Sequence, residues 1–311
     1  MKQAKEVNKT IEPIEINGLK GRMLRIGAPK NNKAEILLLY GHHASLERMF
    51  GVAEALGKYA AVTMPDLPGF GGMDSFYNIH KKPSLDNFAD YLYTFIKWRY
   101  KKRSVTIAAT SFSFLVVTRM LDKYPEMKRQ VTMIICFMGF LHKDAFILSK
   151  KMQNAGKIMG SLFSTRPLAW FARTFVLRKV FIRFAYKRAA NSHAKMKDAE
   201  NSDELNRRIE FETILWTTND IRTHMYTQRL MLKVNLLNIR IPDLLVHYVG
   251  TMNDHFFDMN IIEQHLKIVY KRCSFAFTSL KAHAPTVIAT AEDAKSMLPP
   301  KTLKILRSLS K

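Results

Sequence analysis

Val105-Thr106-Ile107-Ala108-Ala109-Thr110-Ser111-Phe112-Ser113 is the stretch that decides the fold. Val105 to Ala109 is a short apolar run of the kind that suits a strand buried on both faces. From about Phe112 to Lys123 the pattern becomes helical. A strand that passes so abruptly into a helix forces the central residue, Ser111, into a strained backbone conformation. It also needs small residues two before and two after, because strand and helix nearly touch there. Ala109 and Ser113 meet that need. Taken alone, the segment is a weak signal, and a serine capping a helix is the plainer reading.

Moving outward, the same alternation repeats. Upstream, Ile36 to Tyr40 reads as a buried strand ending at Gly41, and Ser45 to Tyr59 as a helix. Ala60 to Met64 reads as another strand, stopped by Pro65-Asp66-Leu67-Pro68-Gly69. Ser84 is a credible N-cap for a helix with Leu85, Phe88, Leu92, Phe95 and Ile96 on one face. Two short strands, Ile11 to Ile16 and Arg22 to Ile26, flank the turn signal Asn17-Gly18. Downstream, Val131 to Phe137 is a strand. The alternation resumes with Asp243–Val249 (strand), Met259–Tyr270 (helix), Ser274–Ser279 (strand) and Thr286–Leu298 (helix). Strand and helix alternating with short connections predict an α/β fold, a mostly parallel central sheet with helices on both faces.

Between the two runs the strand signal vanishes. Residues 1–139 and 239–311 are therefore assigned to the sheet core, and 140–238 to an inserted helical cap.

Several features now fall in a telling order. Leu38-Leu39-Tyr40-Gly41-His42 follows an early strand, and Asp66-Leu67-Pro68-Gly69-Phe70-Gly71 follows the next. The turn at Ser111 comes third. Gly250 to Asp254 follows a late strand, and Ala282-His283-Ala284 follows the last. From about Ile11 to Leu298 this resembles the α/β-hydrolase fold family, in the order oxyanion loop, Asp-x-Pro-Gly-x-Gly turn, nucleophile elbow, acid, histidine. The resemblance implies Ser111 as nucleophile, Asp254 as acid and His283 as base, with the backbone N–H groups of His42 and Phe112 as oxyanion-hole donors. It also implies that the insertion covers the active site. The departures are Tyr40 for the common His before Gly41, and Ala109 and Ser113 where Gly is usual. The Tyr40 position is expected to support the loop rather than do chemistry.

The chemistry needs these residue types. A serine hydroxyl is a poor nucleophile until an imidazole takes its proton. A carboxylate must hold that imidazole in the right tautomer. Two N–H groups must meet the developing oxyanion. Competing readings are limited. Asp258 rivals Asp254 as the acid, and Asp254 could instead start the helix near Asp258. Asp66 is expected to hold its turn by side-chain-to-backbone hydrogen bonds. His42 and His43, adjacent in sequence, do not share a face and lack a third ligand at supporting spacing, so no metal and no cofactor is expected. A serine at the elbow argues against haloalkane and epoxide chemistry that uses a carboxylate nucleophile on this fold.

The expected function is therefore a serine hydrolase cleaving an uncharged, apolar-acyl ester through an acyl-enzyme, with Phe112, Trp170 and Trp216 as pocket candidates. The alternative is a non-catalytic or peripheral-membrane binding protein on the same scaffold.

Composition supplies the other constraint. The chain has 311 residues, 47% of them hydrophobic and 24% charged, an ordinary globular balance. Two cysteines, Cys136 and Cys273, lie in apolar runs and read as buried free thiols rather than a disulfide framework. The polar start predicts no signal peptide, and the apolar run Val131–Leu141 is too short to span a bilayer. The expected setting is cytoplasmic, or peripheral at the inner membrane surface. Lys and Arg outnumber Asp and Glu 49 to 26, for a net charge of +23. Thirteen of those basic residues fall in 140–197 beside one acid, Asp144. The stretch Leu162 to Phe184 interleaves its cations with aromatics. No nucleic-acid module is visible. The basic insertion reads first as a solvated outer face, and second as a surface for anionic lipid.

Overall fold

In the computed structural model, residues 10–29, 32–190, 196, 199, 201–251, 254, 256–278 and 290–309 are described. Eight strands form one sheet in the order β1-β2-β4-β3-β5-β6-β7-β8. They are β1 (Ile11–Ile16), β2 (Leu19–Ile26), β3 (Glu35–Leu39), β4 (Ala61–Pro65), β5 (Val105–Thr110), β6 (Val131–Phe137), β7 (Leu245–Thr251) and β8 (Arg272–Thr278). β2 runs antiparallel to both its neighbours, β1 and β4; β3 to β8 are parallel.

The sequence explains both halves. Asn17 and Gly18 each take positive φ, 53° and 77°, which a two-residue hairpin turn requires and which these two residues tolerate best. Pairing therefore starts at once, with Ile16 opposite Leu19, and β2 begins three residues before the predicted Arg22. The central strands are buried on both faces, so they carry continuous apolar runs rather than alternation: every residue of β5 is buried.

Helices α1 (Leu46–Gly57), α2 (Leu85–Tyr100) and α3 (Phe112–Lys123) connect the first parallel strands. As predicted, Ser84 caps α2, its hydroxyl accepting the Asn87 N–H at 3.2 Å. Five helices then fall between β6 and β7: α4 (Lys150–Phe163), α5 (Arg166–Phe171), α6 (Lys179–Arg188), α7 (Ser202–Thr218) and α8 (Ile221–Met231). A π-type turn, Ala172–Val176, follows α5. Helix α9 (Met259–Val269) joins β7 to β8, and α10 (Pro300–Leu309) closes the chain.

The predicted helix Thr286–Leu298 is not what the described part of that segment forms. A 3-10 turn occupies Asp293–Met297, and the helix starts at Pro300. Proline is pre-set for a first helical position and disfavours helix in the residue before it, so Pro299-Pro300 resets the boundary.

The core is aromatic, with Phe88, Phe95, Phe112, Phe114, Phe137 and Tyr270 fully buried. Some of its buried polar groups are tied across elements. His247 on β7 lies 3.1 Å from Ser274 Oγ and 2.8 Å from Thr302 Oγ1 of α10. Cys136 is a buried free thiol, as expected; Cys273 is free but only half-buried, its Sγ donating to the Tyr270 carbonyl.

Candidate active site

Ser111 sits between the end of β5 and the first residue of α3, at φ 51° and ψ −113°. That conformation costs a non-glycine residue about 1–3 kcal/mol and persists only where the surroundings enforce it. They do so here. The Ser111 N–H donates to the Phe137 carbonyl of β6 at 2.9 Å. Ser113, fully buried, accepts the Thr110 N–H at 2.9 Å and reaches the Leu39 carbonyl of β3 at 3.1 Å. A serine replaces glycine two residues on because its hydroxyl stitches the turn to the neighbouring strand. The Ser111 hydroxyl makes no cap hydrogen bond to α3, so the helix-cap reading of this serine fails.

The neighbouring loop is packed onto this turn. A Cβ added at Gly41 would lie 3.3 Å from the Ser111 Cβ and 3.2 Å from the Thr110 carbonyl. A side chain at position 41 would press on that turn, so the glycine eases the close approach of the loop. Tyr40 supports the loop as expected. Its hydroxyl donates to Asp66 Oδ1 at 2.9 Å and accepts the Leu67 N–H at 2.7 Å.

Asp66 is a structural hub rather than a reacting group. It also accepts from Arg22 Nε at 2.6 Å, Gly72 N–H at 2.8 Å and Leu46 N–H at 3.2 Å. Burial pushes its carboxyl up, to about 6, while the Arg22 guanidinium and the Gly72 N–H pull it back. Gly71, at φ 58°, has no room for a Cβ against that carboxylate.

Asp254 lies beyond the end of β7 and is 7% exposed. Its Oδ1 accepts the N–H groups of Phe256 at 2.8 Å and Phe257 at 3.3 Å, which fixes the carboxylate's orientation. Asp258 is occupied otherwise. It caps α9, accepting from Asn260 and Ile261 N–H. His283 lies outside the described residues, five positions past the end of β8. Because β3, β5, β7 and β8 run parallel, their carboxyl ends lie at the same end of the sheet, the end where ligands bind in open α/β sheets.

The pocket candidates divide. Phe112 is fully buried, its ring edge-on to Phe88 and His42 with centroids 5.3 and 6.1 Å apart. Trp216 of α7 is half-buried against His43 and His224, at 4.5 and 4.8 Å. Trp170 does not join them. Its indole is 62% exposed and rests on Phe175, because α5 turns Ala169 inward instead. The expectation that Trp170 lines the site is thus corrected: helical spacing fixed an apolar face but not the direction in which it points.

Two residues escaped the sequence reading. His224 of α8 stacks on His42, with centroids 4.4 Å apart, and its carbonyl lies 3.1 Å from His42 Nε2. Glu212 of α7 is fully buried, 3.5 Å from Arg48 and 3.6 Å from His43, and accepts from the Tyr186 hydroxyl at 3.2 Å. A faint signal existed. Thr223, His224 and Thr227 are buried polar residues at helical spacing beside Ile221. No pattern could have paired them with His42 across 182 positions. A separate cleft of about 350 Å³ is lined by Leu85, Tyr226, Arg229, Leu230, Lys233 and Leu236 among others, and none of its lining residues belongs to the Ser111 group. Among the described residues no three His, Cys, Asp or Glu side chains converge as a metal group.

Against known structures this architecture is that of α/β-hydrolases. The bromoperoxidase from Bacillus anthracis superposes with a TM-score of 0.69 at 11% identity, covering 96% of this chain and 99% of that one. The enol-lactonase from Burkholderia xenovorans LB400 gives 0.64 at 12% identity, over 96% and 100%. A membrane phospholipase A described as a bacterial virulence factor gives 0.64 at 14% identity, over 99% and 91%. No family model and no curated protein sequence matches the chain. The protein has the α/β-hydrolase fold.

Proposed function

We propose that the protein is a serine hydrolase that cleaves an uncharged carboxylic ester with an apolar acyl group. The observation that carries this reading is Ser111: a non-glycine residue held at φ 51° on the strand-to-helix turn, with its hydroxyl not used to cap the helix. Such strain is retained where it aims a nucleophile. Solved structures of the same fold include a thermophilic esterase from Thermogutta terrifontis, a membrane phospholipase A and an enol-lactonase, which agrees with hydrolytic chemistry.

In this reading the Ser111 Oγ attacks the ester carbonyl carbon while its proton passes to His283. Asp254, oriented by its two backbone donors, stabilises the imidazolium. The N–H groups of His42 and Phe112 receive the oxyanion, each such donor typically worth about 2.7–4 kcal/mol. The bond to the leaving alkoxide breaks as His283 returns the proton, giving an acyl-Ser111. Water, deprotonated by His283, releases the acid and restores the hydroxyl. No cofactor is required. The aromatic neighbourhood of Phe70, Phe112 and Trp216 favours an apolar acyl group.

Hydrolysis of a chain-length series of nitrophenyl esters tests the proposal. Turnover that rises with acyl length and vanishes in Ser111→Ala is expected. Turnover that survives Ser111→Ala would sink it.

A further inference from the structure

Helices α4 to α6 invert the usual arrangement of an amphipathic helix. Facing inward they bury small residues. A Cβ on Gly160 of α4 would meet the Cβ of Arg229 and the carbonyl of Met225, so α4 packs closely on α8 through a glycine seam. Ala169 and Ala172 make the buried contact of α5 and its π-type turn with Ile221. In α6 only Ile182 is buried.

Facing outward they show large ones. Among the described residues, thirteen of the eighteen exposed large hydrophobics lie between Ile147 and Phe184. Val180 is 74% exposed, Phe184 63%, Phe181 57% and Phe175 53%. They are not scattered. Trp170 and Phe171 both touch Phe175, with centroids 5.9 and 5.2 Å apart. Exposed aromatic side chains clustered in this way mark an interaction site rather than ordinary surface.

The charges select the partner. Arg166, Arg178, Lys179, Lys187 and Arg188 are exposed among these side chains, Arg183 beside them pairs with Glu210 of α7, and residues 140–197 contain one acid, Asp144. A protein partner of ordinary composition does not require a one-signed field. Nucleic acid does not require a row of protruding Phe, Val and Trp. An anionic bilayer surface needs both: apolar side chains that sink to the acyl boundary, and cations at the headgroups. No helix among the described residues is long and apolar enough to cross a membrane.

We propose that the face formed by α4, α5, the π-type turn and α6 docks the protein on the surface of an anionic lipid bilayer. The proposal is independent of the chemistry at Ser111.

Sedimentation of the full chain with vesicles tests it, using phosphatidylcholine alone and phosphatidylcholine mixed with phosphatidylglycerol, at low and high salt. Binding to the mixed vesicles is expected to be at least about tenfold tighter and to weaken with salt. Phe175→Glu with Phe181→Glu is expected to reduce it by about tenfold or more at unchanged helical circular dichroism. Arg178→Gln with Lys179→Gln should flatten the salt dependence. No binding at low salt, equal binding to both vesicle types, or full binding by the double glutamate variant would overturn the proposal. So would a solution dimer that the glutamate variant converts to monomer without any vesicle binding, which would assign the face to a second copy of the chain.

Discussion

The sheet core and the helices between β6 and β7 place their large side chains in opposite ways. In the core, Phe88, Phe112 and Phe114 are fully buried, and even a serine hydroxyl at Ser113 is used to lock a turn. In α4 to α6 glycine and alanine go inward, while Phe175, Val180 and Phe181 face out. Both regions look alike in sequence, as apolar residues at helical spacing. The difference teaches that periodicity defines a face and tertiary packing decides whether that face is hidden. The core has one tightly determined arrangement and carries the strained residue; the insertion tolerates exposed apolar surface.

The comparison can be broken first at the chemistry. Ser111→Ala should lower ester turnover by about 10⁴-fold or more, because triad members act as a unit. The thermal midpoint should hardly move, and a large loss of stability would mean that Ser111 is structural. Next comes packing. Phe114→Ala is expected to cost about 3–5 kcal/mol in urea unfolding, whereas Phe181→Ala on α6 should stay within about 0.5 kcal/mol. Equal costs would erase the distinction between the two regions.

A third test uses pH. Burial, with help from nearby Lys301, depresses His247 to about 4 from an ordinary value of 6.5. The unfolded chain therefore takes up a proton that the folded core refuses. Stability from this group is complete above about pH 6.5 and declines as pH falls toward 4, by about 3 kcal/mol in all. Denaturant titrations across that window should show the slope in the wild type and lose it in His247→Gln. A slope that persists there would place its origin elsewhere. A smaller loss than that of Phe114→Ala is expected for Tyr40→Phe. It strips one donor from Asp66 and one acceptor from Leu67 N–H, a loss of about 1–3 kcal/mol, with slower turnover as the Gly41-His42 loop loosens. An unchanged unfolding curve would contradict the bracing role of that hydroxyl.

Much of this was legible in the sequence. Strand Val131–Phe137 and helix Phe112–Lys123 have the predicted limits, since an apolar run bounded by turn residues has few ways to be read. Ser111 and Asp66 could be singled out because glycine, proline and serine at a turn reflect local backbone demands. The role of Tyr40 as a brace came instead from the family resemblance. What could not be read was long-range. His224 stacking on His42, and Glu212 meeting Arg48 and His43, depend on how the insertion folds back on the sheet. Trp170 was misplaced because its helix turns an alanine, not an indole, toward the protein.

Covalent capture tests the central claim most directly. After treatment with a fluorophosphonate, peptide mass mapping should place a single adduct on Ser111, and Ser111→Ala should remain unmodified. An unlabelled wild-type protein, or an adduct on any other residue with Ser111 untouched, would contradict the assignment of Ser111 as the nucleophile.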